Sequence, residues 1–236
     1  VFAPGFTFGT MGVGPGMVWL AVLAIVAGSV LALGTRHLKR MLTYIIVAEV
    51  GYMVGGFWLG NRAGISGAAL HIVNDAAMTL CVFLAAGAII YKVGGETIDD
   101  LQGLFRKMPV TMAAFALGGL SIIGVPPTCG FFSKWYLIAG GLAAGQYAYV
   151  AALIFSSLVN LVLFFRIFEI AFFEPFADHH APHDAHGATP HAVVQEAPIQ
   201  MLLPLVFTAL SLVALGLYSG AMVTRLIELA LPAGIV

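Results

Sequence analysis

Lys134 stands inside an apolar stretch, flanked by Phe131, Phe132, Trp135 and Tyr136, a few residues after Gly124-Val125-Pro126-Pro127 and Gly130. Tandem proline removes backbone donors and breaks a helical ladder. A broken helix exposes carbonyls and amides that can hold water and ions. A desolvated lysine at such a place is suited to reversible protonation. The plainer alternative is a lysine whose stem crosses apolar surface to set its head at an interface. A second group, His71, Asn74, Asp75, Met78 and Thr79, recurs at three- and four-residue spacing and so shares one helix face. His71 and Asp75, four apart, are within hydrogen-bonding reach, and a histidine beside a carboxylate can relay protons. A static polar clamp between helices is the other reading. Glu49 is either a relay carboxylate or counter-ion for Lys134, or a structural or interfacial glutamate. Asn160 suits a helix–helix contact, and Arg166 with Glu169, three apart, suits an interfacial pair better than a pathway.

The elements that must carry these residues follow from composition. Of 236 residues, 61% are hydrophobic and 9% charged, and the mean hydropathy is +1.00. Soluble domains carry about 25% charged residues, so this much apolar surface requires lipid as solvent. The expected class is an all-α integral membrane protein. A net charge of -1 argues against a nucleic-acid partner. Cys81 and Cys129 both fall in apolar runs and are not expected to pair.

A span needs about 20 apolar residues. Candidates run over 16–33, 41–60, 64–91, 146–173 and from 199 to 217 or beyond, and 109–145 is too long for one straight span. At about 1.5 Å per residue it would exceed about 50 Å, against a core of about 30 Å. It is expected as a discontinuous helix broken at Gly124, Pro126, Pro127 and Gly130, which makes about six spans in all. The division expected is 1–15 as an extramembrane segment, 16–173 as a five-helix unit, 174–198 as a His-rich hydrophilic loop, and 199–236 as a final helix and tail. Residues 1–15 lack a basic start and a small-residue cleavage site, and the chain opens on Val1, so a truncated or processed N-terminus is expected. Arg36, Lys39, Arg40, Lys92, Arg106 and Lys107 gather on one side, with Arg62 and Arg225 on the other. That asymmetry places the first side in the cytoplasm and both termini outside.

The histidines from His179 to His191 could bind a transition metal by composition, but the Pro, Ala and Gly among them fit a solvated linker better. No metal and no cofactor is expected. No phosphate-cradling loop, CxxC pair, HExxH or nucleophile elbow occurs, so no catalytic residue is assigned.

Three runs resemble a known family. Leu38-Lys39-Arg40-Met41-Leu42-Thr43-Tyr44 with Gly51-Tyr52 is the first, and His71-Ile72-Val73-Asn74 through Phe83-Leu84-Ala85-Ala86-Gly87 the second. The third runs from Asp100-Leu101-Gln102-Gly103-Leu104 and Met108-Pro109 to Ser121-Ile122-Ile123-Gly124-Val125-Pro126-Pro127 and Gly130-Phe131-Phe132-Ser133-Lys134-Trp135. In order and spacing they resemble the antiporter-like, proton-conducting subunits of Mrp antiporters, complex I and membrane-bound hydrogenases, with wording nearest to the D-type member of Mrp antiporters. The resemblance covers roughly residues 16–140. It implies about fourteen spans around two inverted five-helix repeats, of which this chain corresponds to the second repeat plus one flanking helix. It places Lys134 at the titratable position of the discontinuous twelfth span, and His71 and Asp75 on the polar axis of the eleventh. Departures are Asp75 where the family has a second histidine, Thr79 where it has lysine, and Ile45 and Ile46 where it has paired serines.

The expectation is a proton-translocating or cation/proton antiporter subunit of a multisubunit complex in the cell inner membrane. The proton relay would consist of His71, Asp75 and Glu49 with Lys134, and Asn74, Thr79 and Asn160 would support it. The alternatives are a pump module of a complex I-like or hydrogenase-like redox enzyme, and a structural subunit that has lost transport. Expected partners are lipid, other membrane subunits, and a chain or segment supplying the first repeat.

Overall fold

The computed structural model describes residues 12–175 and 195–230. Among the described residues five helices are long and apolar enough to cross a membrane: α1 (Val13–Leu33), α2 (Leu38–Trp58), α3 (Arg62–Val93), α7 (Tyr147–Phe173) and α8 (Ile199–Met222). A π-helical turn, Val223–Ile227, and the short α9 (Glu228–Ala230) carry α8 onward. Between α3 and α7 lie a 3-10 turn (Asp99–Leu101), the short α4 (Leu104–Lys107), α5 (Pro109–Ile123) and α6 (Cys129–Ala143). Helices α5 and α6 have 15 residues each, about 22 Å at 1.5 Å per residue, so neither crosses alone. They are the two halves of the interrupted passage, and the chain is an all-α, multi-pass membrane protein.

The interruption has a local cause. Gly124 adopts φ 96, a left-handed geometry that glycine enters without steric cost. The amides of Gly124 and Val125 both return to the Leu120 carbonyl, at 3.1 and 3.0 Å, closing α5. Pro126 and Pro127 cannot donate, and α6 restarts after Thr128, whose hydroxyl bonds the Val125 carbonyl at 2.6 Å. Gly130 lies so close to the Ser121 carbonyl that a Cβ there would collide with it.

Both ends of the bundle are tied. At one end the α1–α2 connection pairs with the segment after α3. Leu38 and Ile98 amides bond the Glu96 and Arg36 carbonyls at 2.9 Å each, beside ion pairs Arg36–Asp99 (3.0 Å) and Lys39–Glu96 (3.4 Å). Glu196 caps α5 at that end, accepting from the Val110 amide at 2.8 Å and from the Thr111 hydroxyl. At the other end Asn61 caps α3 through the Gly64 amide (2.8 Å) and donates to the Gly140 carbonyl of α6 (2.7 Å), and Arg62 meets Glu228 at 3.7 Å.

The apolar core is split. One cluster includes Met41, Ile45, Met78, Cys81 and Cys129, the other Tyr52, Ala68, Leu137 and Tyr149. Between the two clusters α2, α3 and α6 each bury polar residues: Glu49 on α2, His71, Asn74 and Asp75 on α3, and Ser133 and Lys134 on α6. Both cysteines are buried and free. The His-rich run from Asp178 to His191 lies outside the described residues.

Candidate functional site

The polar layer is a continuous buried network. Helix α2 aims Glu49 at the layer from near its middle, α3 contributes His71 and Asn74, and the second turn of α6 contributes Ser133 and Lys134. Glu49, His71, Asn74 and Ser133 are exposed by 1% or less, and Lys134 by 4%. Lys134 is therefore not a lysine reaching an interface. Burial at that depth requires partners, and it has them. Its Nζ stands 3.5 Å from Glu49 Oε1, donates to the Ile122 carbonyl and to Ser157 Oγ at 3.4 Å, and lies 5.1 Å from the centroid of the Tyr52 ring. Ile122 belongs to the last turn of α5, where carbonyls lack intrahelical partners and the helix dipole favours a cation. The break thus makes part of the lysine's site.

His71 is held from both sides, with Nε2 at 2.8 Å from Glu49 Oε2 and Nδ1 at 2.8 Å from Ser133 Oγ. Glu49 bridges the imidazole and the ammonium, one oxygen to each. Ser133 Oγ also lies 3.2 Å from the Gly130 carbonyl. A serine hydroxyl has one proton to give, so Ser133 either donates to Nδ1 of a neutral ring or accepts from a charged ring while donating to Gly130. The site can accommodate both states of His71 without moving a backbone atom.

Other expected residues fall differently. The expected His71–Asp75 hydrogen bond is not formed, because both ring nitrogens of His71 are taken by Glu49 and Ser133. Asp75, 9% exposed, instead accepts from Thr79 Oγ1 at 3.3 Å, one turn along α3 toward its uncovered stripe of Ile72 and Leu80. Asn74 donates to the Cys129 carbonyl at 2.8 Å, pinning the first turn of α6 to α3. Asn160 is buried on α7, but its amide nitrogen bonds no other helix among the described residues, so the expected interhelical contact through that group is absent. Arg166 and Glu169 are both exposed beside Phe105 and Phe172, and no ion pair joins them. Gly124, Pro126 and Pro127 fall between α5 and α6, whereas Gly130, expected at the break, is the second residue of α6, packed against the Ser121 carbonyl.

Sequence reasoning passed over Ser133, Ser157, Tyr52 and the Ile122 carbonyl. Ser133 adjoins Lys134 and Tyr52 follows Glu49 by one helical turn, which are faint signals. A backbone carbonyl gives none.

The family profile described as NADH:quinone oxidoreductase/Mrp antiporter, TM matches residues 10–160. The N-type subunit of the NADH-quinone oxidoreductase of Desulforudis audaxviator is 40% identical over 217 residues, 91% of this chain and 43% of that protein. The D-type subunit of the Na(+)/H(+) antiporter of Bacillus subtilis is 29% identical over 191 residues, 81% of this chain and 38% of that one. A chain of respiratory complex I from Thermus thermophilus, solved with bound NADH, shares the fold at a TM-score of 0.80 and 22% identity, over 94% of this chain and 44% of its own length. The chain spans less than half the length of each of these relatives. A match over well more than half of its residues, across the break and the polar layer alike, makes this chain a member of the NADH:quinone oxidoreductase/Mrp antiporter transmembrane family.

Proposed function

We propose that this chain is one half-channel of a proton-translocating or cation/proton antiporting subunit, with a relay from His71 through Glu49 to Lys134. The observation that carries the reading is the unbroken buried contact from Ser133 through His71 and Glu49 to Lys134, ending at a helix break. A proton taken by His71 makes a second cation on the same carboxylate. Two cations in a weakly screened site compete for Glu49, and drawing the carboxylate toward His71 loosens the Lys134 ion pair and frees that lysine's proton. Asp75 and Thr79, beside the uncovered stripe of α3, are the entry to the relay. No cofactor takes part in these steps, which need only side-chain proton exchange.

The partners proposed are lipid, other membrane subunits of an Mrp, complex I-like or hydrogenase-like assembly, and a chain or segment carrying the first repeat. A relative named for a quinone oxidoreductase and one named for an antiporter support either parent, and co-purification of subunits with iron–sulfur centres would decide for the redox one. The location proposed is the cell inner membrane with both termini outside the cytoplasm. Support comes from the basic residues of the α1–α2 connection and of the segment after α3, which the Arg36–Asp99 and Lys39–Glu96 pairs bring to one end.

The test is proton movement in vesicles holding the whole assembly. Lys134→Ala is expected to abolish it and Asp75→Asn to slow it. Full transport by the Lys134→Ala assembly overturns the reading and leaves the structural-subunit alternative.

A further inference from the structure

Tyr52 is not used by the relay, yet it touches both ends of it. It lies one turn after Glu49 on α2 and is completely buried. Its ring centroid is 5.1 Å from Lys134 Nζ and 5.5 Å from the His71 ring. Its hydroxyl is turned toward those of Ser156 and Ser157 on α7, and Ser157 already accepts from Lys134 at 3.4 Å. Among the described residues no hydrogen bond is completed at Tyr52 Oη, at Ser156 Oγ, or at Asn160 Nδ2 one turn further along α7. All three side chains are exposed by 1% or less.

Packing alone does not explain a hydroxyl here. Phenylalanine would fill the same space without leaving a polar atom unpaired in a low-dielectric interior, where such atoms are costly. Groups of this kind call for a functional reason, and three of them lie on α2 and α7, with the Tyr52 ring over the Lys134 ammonium. A cleft of about 260 Å³ runs past Lys134, Ser157 and Gly124 between apolar walls, with room for water beside the lysine side chain.

We propose that Tyr52 is a positioning residue whose ring holds the Lys134 ammonium and whose hydroxyl, with Ser157, Ser156 and Asn160, conducts the released proton away across α2 and α7. Lys134 gives an N–H proton to the Ser157 oxygen, and Ser157 releases its own to Tyr52. Each later hydroxyl or water does the same until the aqueous phase takes the last proton. Lys134 ends as a neutral amine, and every hydroxyl ends as it began. The assignment rests on the relay reading above, and the experiment separates the two.

In the intact assembly in vesicles, flux per assembled complex is compared for wild type, Tyr52→Phe, Tyr52→Leu, the Ser156→Ala/Asn160→Leu pair, and Lys134→Ala. Tyr52→Phe keeps the ring and is expected to lower flux about tenfold, an effect of one rate-limiting hydroxyl, with a melting temperature no lower than that of wild type. It is also expected to change the flux ratio between H2O and D2O, which a packing defect would leave alone. Tyr52→Leu, lacking ring and hydroxyl, is expected to lose more. Wild-type flux and isotope ratio in both Tyr52→Phe and the Ser156/Asn160 pair overturn the hydroxyl path. If Lys134→Ala is silent at the same time, the relay stands and only the role of Tyr52 falls. Undiminished flux in Lys134→Ala removes both.

Discussion

Glu49 is the side chain on which the buried network turns, since its two oxygens serve Lys134 and His71 separately. Glu49→Gln leaves an ammonium without its carboxylate deep in the bundle. Breaking a buried pair by removing one partner costs about 3–5 kcal/mol, so the variant is expected to melt well below wild type and to lose proton flux. Replacing both partners, Glu49→Gln with Lys134→Met, is expected to recover much of the stability and none of the flux, as thermal denaturation and vesicle assays would show. Recovery of neither would mean that the network is not a coupled pair. Ser133→Ala removes the partner of His71 Nδ1, and an unpaired buried ring nitrogen costs about 1–3 kcal/mol. Sequence marked Lys134, His71 and Glu49 because charge is rare in these apolar runs. It could not rank Glu49 above Asp75 as the partner of His71. The spacing of His71 and Asp75 allowed a bond, while the orientation of α2 against α3 put a better acceptor in place.

The break between α5 and α6 is the element that makes a lysine tolerable at this depth. The run Gly124-Val125-Pro126-Pro127 announces it, because glycine and proline end a helical ladder for reasons contained in the residues themselves. That the freed Ile122 carbonyl would receive Lys134 was not legible, since it depends on how α6 folds back beside α5. Gly130→Ala is expected to push the first turn of α6 off Ser121 and with it Ser133 and Lys134. Flux should fall while Asn61→Ala, at the far end of the bundle, lowers stability without the same loss of flux. The cap at Asn61 is worth about 1 kcal/mol, and its side chain also joins α3 to α6, so melting temperature is the measurement that reports it. Equal flux in the Gly130→Ala and wild-type assemblies would show that the close approach at the break has no bearing on transport.

Across the whole molecule the tied end at Arg36–Asp99 and the opposite end at Arg62–Glu228 define two faces. A cysteine introduced at the exposed Glu96 is expected to react with an impermeant maleimide from the cytoplasmic side. One at Arg62 is expected to react from the other side, with native Cys81 and Cys129 buried and silent. Labelling in the reverse sense would invert the proposed orientation. The long apolar helices and the discontinuous passage were readable from composition and length alone, because hydrocarbon thickness sets the scale.

Sequence by itself determined membrane residence, the helical class, the position of the break and the rare charges that any function must use. Each is a local property of residue types measured against a solvent of fixed thickness. Tertiary structure decided which charge meets which. It set Glu49 between His71 and Lys134, turned Asp75 toward Thr79, and brought the Tyr52 ring against both Lys134 and His71. Those pairings depend on helix rotation and crossing, which are set by packing between residues far apart in the chain.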